Sequence, residues 1–479
     1  MTSPSELKLP EYTSLSIHRR RLLQERTLIF GGLLVIVLAY WLVAGLFAIR
    51  TPDWQTPDEP AHYNYIKQIA EDSRLPTIET GDWDQAYLDS LKAAQFAPEL
   101  LDDLDSVQYE DHQPPLYYLS AAAVYTLTDG NLIALRLYSV FLGTFIVICA
   151  AGIGWRMFPE RAWIGLGSAA FVAFQPMHVA ILASVNNDSL GWAVVALTLF
   201  LSVTYVKQGD RKVTPFKLGL IVGIGFITKA TTYMMAGVAG VAILMVWWEH
   251  YDERGIKGLI RDLAWFALPA LTFGLIWWLR NFAVYGVPDF LGLAAHDSVV
   301  VGQPRTAGFI DLNGMNAYLR EFFRVSFNSF WAQFGWMGVP LRDSTYAILR
   351  MILLVVFAGL GVEMAIVRRK VGQKTNHRQR NAWVLISLTT LLSILAFLYY
   401  NTEFQQFQGR YMFPLLIPLG LWLSLGLDGW RRFALRVWTR RTDAQRKRIR
   451  FSGYLIPLAF FAFGAWDIYL LWRVIVPNL

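Results

Sequence analysis

Apolar runs of membrane-spanning length recur from residue 28 to residue 473, separated by short polar or basic stretches. They lie at about 28–48, 134–156, 162–182, 189–206, 215–229, 231–248, 263–283, 346–367, 381–400, 411–428 and 452–473. A helix needs roughly 20 apolar residues to cross a bilayer. The pattern therefore predicts an all-α polytopic membrane protein of about 11 transmembrane helices, between 10 and 13 depending on how short runs are counted. The run 115–128 is too short to cross and predicts an interfacial or partly inserted helix. Thr228-Lys229-Ala230-Thr231-Thr232 interrupts the 215–248 region, which predicts either a short hairpin or one irregular span. A broken helix is tolerated in a membrane only where protein or a wet cavity surrounds it.

Basic residues fix the expected orientation. With the N-terminus inside, the inner loops hold Arg156 and Arg161; Lys207, Arg211 and Lys212; Arg254, Lys257 and Arg261; and Arg368, Arg369, Lys370, Lys374, Arg378 and Arg380. The last inner loop holds Arg431, Arg432, Arg436, Arg440, Arg441, Arg446, Lys447, Arg448 and Arg450. The outer loop 49–133 has only Arg50, Lys67, Arg74 and Lys92 against many carboxylates. This follows the positive-inside rule, and counting 115–128 as a full span would invert it. The expected organisation is a basic cytoplasmic tail (1–27), a transmembrane core (28–283) carrying an outer catalytic loop (49–133), a second outer loop (284–345) and C-terminal transmembrane helices (346–479). Long loops more often carry function than short ones, so the work is expected at the outer face.

Composition agrees. The chain is 55% hydrophobic and 16% charged, against roughly 25% charged in soluble domains. Its 19 Trp, 21 Tyr and 31 Phe suit membrane interfaces. The net charge of +7 gathers in short loops, so it marks orientation and not nucleic-acid binding. The single Cys149 excludes an internal disulfide and any multi-cysteine metal site. The polar tail with Arg19, Arg20, Arg21 and Arg26 precedes a run too long for a signal-peptide core, which predicts a retained first span.

Six polar clusters converge on the outer face in this topology. They are Thr56-Pro57-Asp58-Glu59-Pro60-Ala61-His62; Tyr109-Glu110-Asp111-His112-Gln113-Pro114-Pro115-Leu116-Tyr117-Tyr118; Asn186-Asn187-Asp188; Lys229; Arg280-Asn281; and Gln408-Gly409-Arg410-Tyr411. Adjacent acids beside a membrane are costly unless paired, hydrated or used. Asp58, with Glu59 beside it, suits a general base. Lys229, Arg280 and Arg410 suit a departing phosphate, Arg as a planar fork and Lys as a point charge. His62, Glu110, His112, Gln113, Asn187, Asp188, Gln408 and Tyr411 are candidate supporting or acceptor-binding groups, and Tyr63, Tyr65, Trp331 and Trp336 suit a sugar or lipid wall.

Plainer readings stand beside these. Asp58-Glu59 also suits capping of a helix after Pro57. Asp188 suits a helix cap, and Lys229 suits snorkelling. Arg136 suits an anchor or ion-pair partner. The acidic group Asp102, Asp103, Asp105, Glu110 and Asp111 has the oxygen chemistry for a divalent cation, but without a calcium-loop pattern it reads as a solvated face. No metal site and no cofactor is predicted.

Taken together, the Asp-Glu after one span, Gln-Pro-Pro-Leu-Tyr-Tyr, Asn-Asn-Asp, Thr-Lys and Gln-Gly-Arg-Tyr resemble the GT-C superfamily of integral membrane glycosyltransferases over about residues 28–430. More closely they resemble a bacterial family of predicted membrane proteins within it. Protein O-mannosyltransferases and the aminoarabinose transferase of lipid A have similar layouts. The resemblance implies a GT-C-like fold and a polyprenyl-phosphate-linked sugar donor used on the outer face of the bacterial inner membrane. It implies Asp58 as the base of an inverting displacement, with Lys229 and Arg410 on the lipid phosphate; Arg280 matches a recurrent feature of the closer family. Gln113 stands where the mannosyltransferases carry a His-Pro-Pro or similar run, and no large soluble domain is inserted. That favours a lipid or glycan acceptor over a protein, in a monomer or homodimer among membrane lipids.

Three other classes compete. A transporter or flippase of lipid-linked saccharides predicts polar groups at the midplane or on both faces. A lipid-linked glycan polymerase or ligase uses similar groups. A non-catalytic scaffold does not require aligned acids and cations.

Overall fold

The computed structural model describes residues 11–209, 212–368, 376–438 and 452–479, with 11–26, 368 and 438 described by backbone alone. The start of the basic tail, the side chains of Arg19, Arg20, Arg21, Arg26 and Arg368, and Arg211, Arg369, Lys370, Lys374, Arg440, Arg441, Arg446, Lys447, Arg448 and Arg450 lie outside the described residues.

The chain is a helical membrane bundle. In order, its helices are α1 (Glu11–Arg50), α2 (Glu59–Asp72), α3 (Gln85–Ala93), α4 (Leu116–Leu127), α5 (Leu132–Met157), α6 (Ala162–Ala173), α7 (Pro176–Leu182), α8 (Asp188–Gln208) and α9 (Pro215–Phe226). They continue with α10 (Met234–Glu249), α11 (Tyr251–Tyr285), α12 (Leu293–Val299), α13 (Thr306–Asn313), α14 (Met315–Trp331), α15 (Asp343–Arg368), α16 (His377–Glu403), α17 (Leu416–Trp438) and α18 (Leu455–Leu470). One two-stranded antiparallel ribbon, β1 (Gln333–Phe334) with β2 (Val339–Pro340), follows α14.

Among the described residues, nine helices are long and apolar enough to cross a membrane. The expected count of about eleven differs at two places, and taking the bent pair α6 and α7 as one broken span gives ten, the lower end of the expected range. The 162–182 run is a pair, α6 and α7, bent by 63°. Gln175 makes the break: its side chain caps α7 by accepting from His178 N at 2.6 Å, and Pro176 supplies a first-turn residue with no N–H to satisfy. The 215–248 region is the hairpin alternative, α9 and α10, turning at Lys229. At 12 residues, α9 is about 18 Å long, too short to cross.

Small residues let the core helices approach. A Cβ on Gly154 of α5 would lie 2.3 Å from Gly165 Cα on α6, and one on Gly143 would lie 2.1 Å from the Tyr40 hydroxyl. Such close crossings suit helices that lack a hydrophobic drive to associate in lipid. Tyr40 uses the approach to donate to Val140 O at 3.0 Å, tying α1 to α5.

Both long loops close over the end of the bundle that bears Asp58, and they interlock. Trp336 Nε1 donates to Trp54 O at 2.9 Å, Trp83 Nε1 to Val301 O at 2.8 Å, and Ile78 N to the Tyr285 hydroxyl at 3.2 Å. The short helix α4 joins the same end, with Leu116 N donating to Ile227 O at 3.0 Å in the α9–α10 turn.

The opposite end carries its own ionic cluster. Arg161 pairs with Glu363 at 2.7 Å and Asp428 at 3.0 Å, Arg431 with Asp428 at 2.7 Å, and Arg432 with Glu363. Polar side chains therefore do not crowd one face alone, as the sequence reading had it. These basic residues also stitch α6, α15 and α17 together.

Candidate functional site

Asp58 stands at the entrance of α2 in a left-handed conformation, φ 69°. Pro60 follows within the first turn. That backbone turns the two neighbouring acids apart. The Glu59 carboxylate is fully buried and accepts from Arg136 Nε at 2.8 Å and Nη2 at 2.6 Å, from Val185 N at 3.1 Å and from Trp54 N at 3.2 Å. It has no free oxygen to offer a substrate. Arg136 spends its remaining donors on the carbonyls of Ala48, Thr51 and Pro52.

Asp58 faces the other way. Its Oδ1 accepts from the Tyr109 hydroxyl at 2.9 Å and its Oδ2 accepts from Arg410 Nη2. Burial works to raise its pKa, but the Arg410 guanidinium and these hydrogen bonds hold the carboxyl below the ordinary carboxylate range. Arg410 is 2% exposed, and its Nε and Nη1 are sealed from solvent with no protein partner. Gly409 makes this placement possible. A Cβ there would lie 2.4 Å from Phe330 N and 2.5 Å from Ser326 O, so only glycine lets the 409–415 turn rest against α14.

His62 lies one turn into α2. Its Nδ1 is 2.8 Å from the Tyr118 hydroxyl, which accepts from Asn187 Nδ2 at 3.0 Å. Asn187 Oδ1 accepts from Lys229 Nζ at 2.7 Å, and Asp188 Oδ1 accepts from the same ammonium at 2.6 Å. A polar chain thus runs from α2 through α4 and α8 to the α9–α10 turn. Burial lowers the His62 imidazole to about 3, which keeps it neutral at physiological pH.

Glu110 completes the group. One ligand atom from each of Asp58, His62 and Glu110 can be chosen so that all three lie within 4.8 Å of one another. This is the set of side chains that would hold a divalent cation, with Arg410 competing for the Asp58 oxygen. Glu110 Oε2 is sealed from solvent without a partner. Burial, then the Asp58 charge, raises the Glu110 pKa to about 7, against the opposing pull of Lys229 and Arg410.

Other expected residues sit further out. His112 is buried, with Nδ1 3.2 Å from Tyr109 O and Nε2 3.3 Å from Gln113 Nε2, and its ring lies 4.4 Å from that of His296. Gln113 Oε1 is 3.4 Å from Asn187 Nδ2. Gln408 turns its amide to Gln406 at 3.1 Å. Tyr411 packs against the Arg410 guanidinium, 5.3 Å from its ring centre, and 5.4 Å from Tyr400. Arg280 does not reach Asp58. It donates to Pro76 O and to Asn281 Oδ1 at 3.1 Å, and lies 4.9 Å from the Trp277 ring centre, clamping the first loop to α11.

Two expectations are corrected. Tyr65 stacks on Tyr118 at 3.7 Å and is fully buried, and Trp331 is a core residue; neither lines an open wall. Tyr63 donates to Gly130 O at 2.8 Å, and Trp336 staples the loops. The acidic group also divides: Asp102, Asp103 and Asp105 are exposed, Asp105 pairing with Lys67 at 2.6 Å, whereas Asp111 is buried and accepts from Gln68 at 2.7 Å.

Tyr109 and Tyr118 stand in a sequence motif that assigns neither a role, and nothing in the sequence singles out Tyr400. Tyr118 lies on the first turn after Pro115, beside the polar Gln113, which was the available signal.

Residues 103–419 match the family described as Predicted membrane protein (DUF2142), well over half of the chain. The chain belongs to this family. No curated protein matches it. Among solved structures, this DUF2142 protein resembles ArnT from Cupriavidus metallidurans in the apo state, with a TM-score of 0.52 at 15% identity over 93% of this chain and 73% of that one. The crystal structure of the same ArnT bound to undecaprenyl phosphate gives 0.47 at 15% identity with the same coverage. The chain thus has the ArnT-like helical membrane fold, the GT-C-like layout expected from its motifs.

Proposed function

We propose that this protein is an inverting glycosyltransferase of the bacterial inner membrane. It moves a sugar from a polyprenyl-phosphate-linked donor to an acceptor hydroxyl or amine at the extracytoplasmic face. The observation that carries the reading is the meeting of Asp58 with Arg410, 352 residues apart in sequence, where the guanidinium keeps two buried donors unused. A buried cation with idle N–H groups is a seat for an anion, and a carboxylate in contact with it is placed to take a proton. The likeness to apo ArnT supports this reading at the level of the fold.

In the reaction, Asp58 accepts the proton of the acceptor hydroxyl or amine. The acceptor atom bonds to the anomeric carbon as the carbon–oxygen bond to phosphate breaks. The bonding electrons leave with the polyprenyl phosphate, whose charge Arg410 and Lys229 stabilise. Attack opposite the leaving group inverts the anomeric centre. His62, Glu110, Gln113, Asn187 and Asp188 shape the acceptor side. Glu59 holds α2 in place through Arg136. A lipid-linked glycan acceptor would make the same step a ligation.

Transport or flipping of lipid-linked saccharides is the second reading. It is favoured by Asp467, fully buried on α18 with neither oxygen partnered, since an intramembrane acid is by default a functional group.

The test is a map of the purified protein with undecaprenyl phosphate, paired with transfer assays using polyprenyl-phosphate sugars. Phosphate density at Arg410 or Lys229, and transfer abolished by Asp58→Asn, are expected. Lipid bound elsewhere, or sugar movement across vesicles without transfer, would turn the assignment to transport.

A further inference from the structure

Each cation proposed for the donor phosphate is already matched by a carboxylate. Arg410 Nη2 is on Asp58 Oδ2, and Lys229 Nζ is on Asp188 Oδ1 at 2.6 Å. Both pairs are largely buried: the side chains of Arg410 and Asp58 are 3% and 22% exposed, and those of Lys229 and Asp188 are 14% and 7% exposed. The pairs differ in one respect. Arg410 has sealed, unpartnered Nε and Nη1 groups, which leaves it donors for a second anion while Nη2 still holds Asp58.

We propose that Asp58 is an internal occupant of the donor-phosphate site, and that phosphate binding at Arg410 is what releases Asp58 to act as a base. This deepens the glycosyltransferase reading and rests on it. Asp58 cannot serve as a strong proton acceptor while Nη2 holds one oxygen and Tyr109 the other. A phosphate arriving at Nε and Nη1 competes with the carboxylate for the guanidinium charge. As the ion pair loosens, the Asp58 oxygen is freed to face the acceptor. Coupling of this kind is reciprocal: whatever the donor does to Asp58's hold on Arg410, Asp58 does to donor affinity. The donor therefore binds first, and the acceptor is deprotonated only in its presence.

The consequence is opposite to that of an ordinary binding residue. Removing the Asp58 charge should tighten the lipid phosphate. The experiment measures affinity of the full-length purified protein for undecaprenyl phosphate, with folding followed by thermal unfolding. Asp58→Asn is expected to bind about fivefold or more tightly than wild type, the lower end of typical site-to-site coupling. Arg410→Gln is expected to bind more weakly, and adding Asp58→Asn to Arg410→Gln should change nothing further. Asp188→Asn provides a second variant with the same expected sign through Lys229. Unchanged or weaker binding in folded Asp58→Asn and Asp188→Asn, with Arg410→Gln still weakened, would overturn the latch and leave the phosphate site standing. Equal binding by wild type and Arg410→Gln would overturn the phosphate site, and the latch with it.

Discussion

Arg136 grips Glu59 at two points, 2.8 and 2.6 Å, in a pocket where the Arg136 side chain is 1% exposed and that of Glu59 is 0% exposed. The pair closes the first turn of α2 onto α5 and thereby aims Asp58. Breaking a buried ion pair from one side leaves an uncompensated charge, which costs about 3–5 kcal/mol. Arg136→Met should therefore lower thermal stability sharply, more than Arg136→Met combined with Glu59→Gln. Unfolding of the single and double variants in detergent checks the order. A single variant as stable as wild type would contradict the structural role given to Glu59.

Glu110 gives the site a pH signature. Its folded pKa, about 7, lies above the value of 4.5 for a free carboxyl. The stability it contributes is complete below the unfolded pKa and is lost as pH rises through the folded one. Wild type should thus lose stability between about pH 4.5 and 7 relative to Glu110→Gln, which cannot ionise. Melting both proteins at pH 5 and pH 8 reads the difference. Parallel shifts would mean that Glu110 is not desolvated.

Gly409→Ala tests the placement of Arg410 without touching its charge. The added methyl meets the backbone at Phe330 N and Ser326 O, neither of which yields as a flexible side chain would. Overpacking of this kind costs typically about 1–3 kcal/mol. The 409–415 turn should move off α14 and take the guanidinium with it. Weaker binding of undecaprenyl phosphate, with the protein still folded, is expected.

Tyr118→Phe should sever the path from His62 to Asn187 and Lys229. The ring keeps its stacking on Tyr65, so stability should fall only by about 2 kcal/mol, the size of the two hydrogen bonds its hydroxyl makes. Transfer should drop further than stability does. Comparable losses in both would assign Tyr118 to packing alone.

The helical membrane architecture was legible because apolar runs and basic loops are local signals. The two spans that depart from a straight crossing helix are those whose outcome depends on a single residue. Gln175 breaks 162–182 by satisfying a backbone N–H, and Lys229 stands at the turn of a hairpin whose first arm, α9, is too short to cross. In the candidate site, Asp58, Arg410, Lys229 and Asp188 were all named from sequence. Their pairing was not, because ion pairs between distant segments leave no periodic trace. The separation of Asp58 from Glu59 was equally hidden. Two adjacent acids look alike until the left-handed turn at Asp58 sends one toward Arg410 and the other toward Arg136. Arg280 joins the phosphate cations in sequence by its charge and its expected place at the outer end of a span, whereas its reach is set by Pro76 and Trp277.

The brevity of α9 has a consequence for how substrates reach this chemistry. At 12 residues the helix is about 18 Å long, against a hydrocarbon layer roughly 30 Å thick. The turn beyond it is met by α4, whose Leu116 N–H reaches Ile227 O two residues before Lys229. A short helix and a borrowed hydrogen bond therefore set where the Lys229 ammonium stands, and any ligand of that ammonium has to come to it.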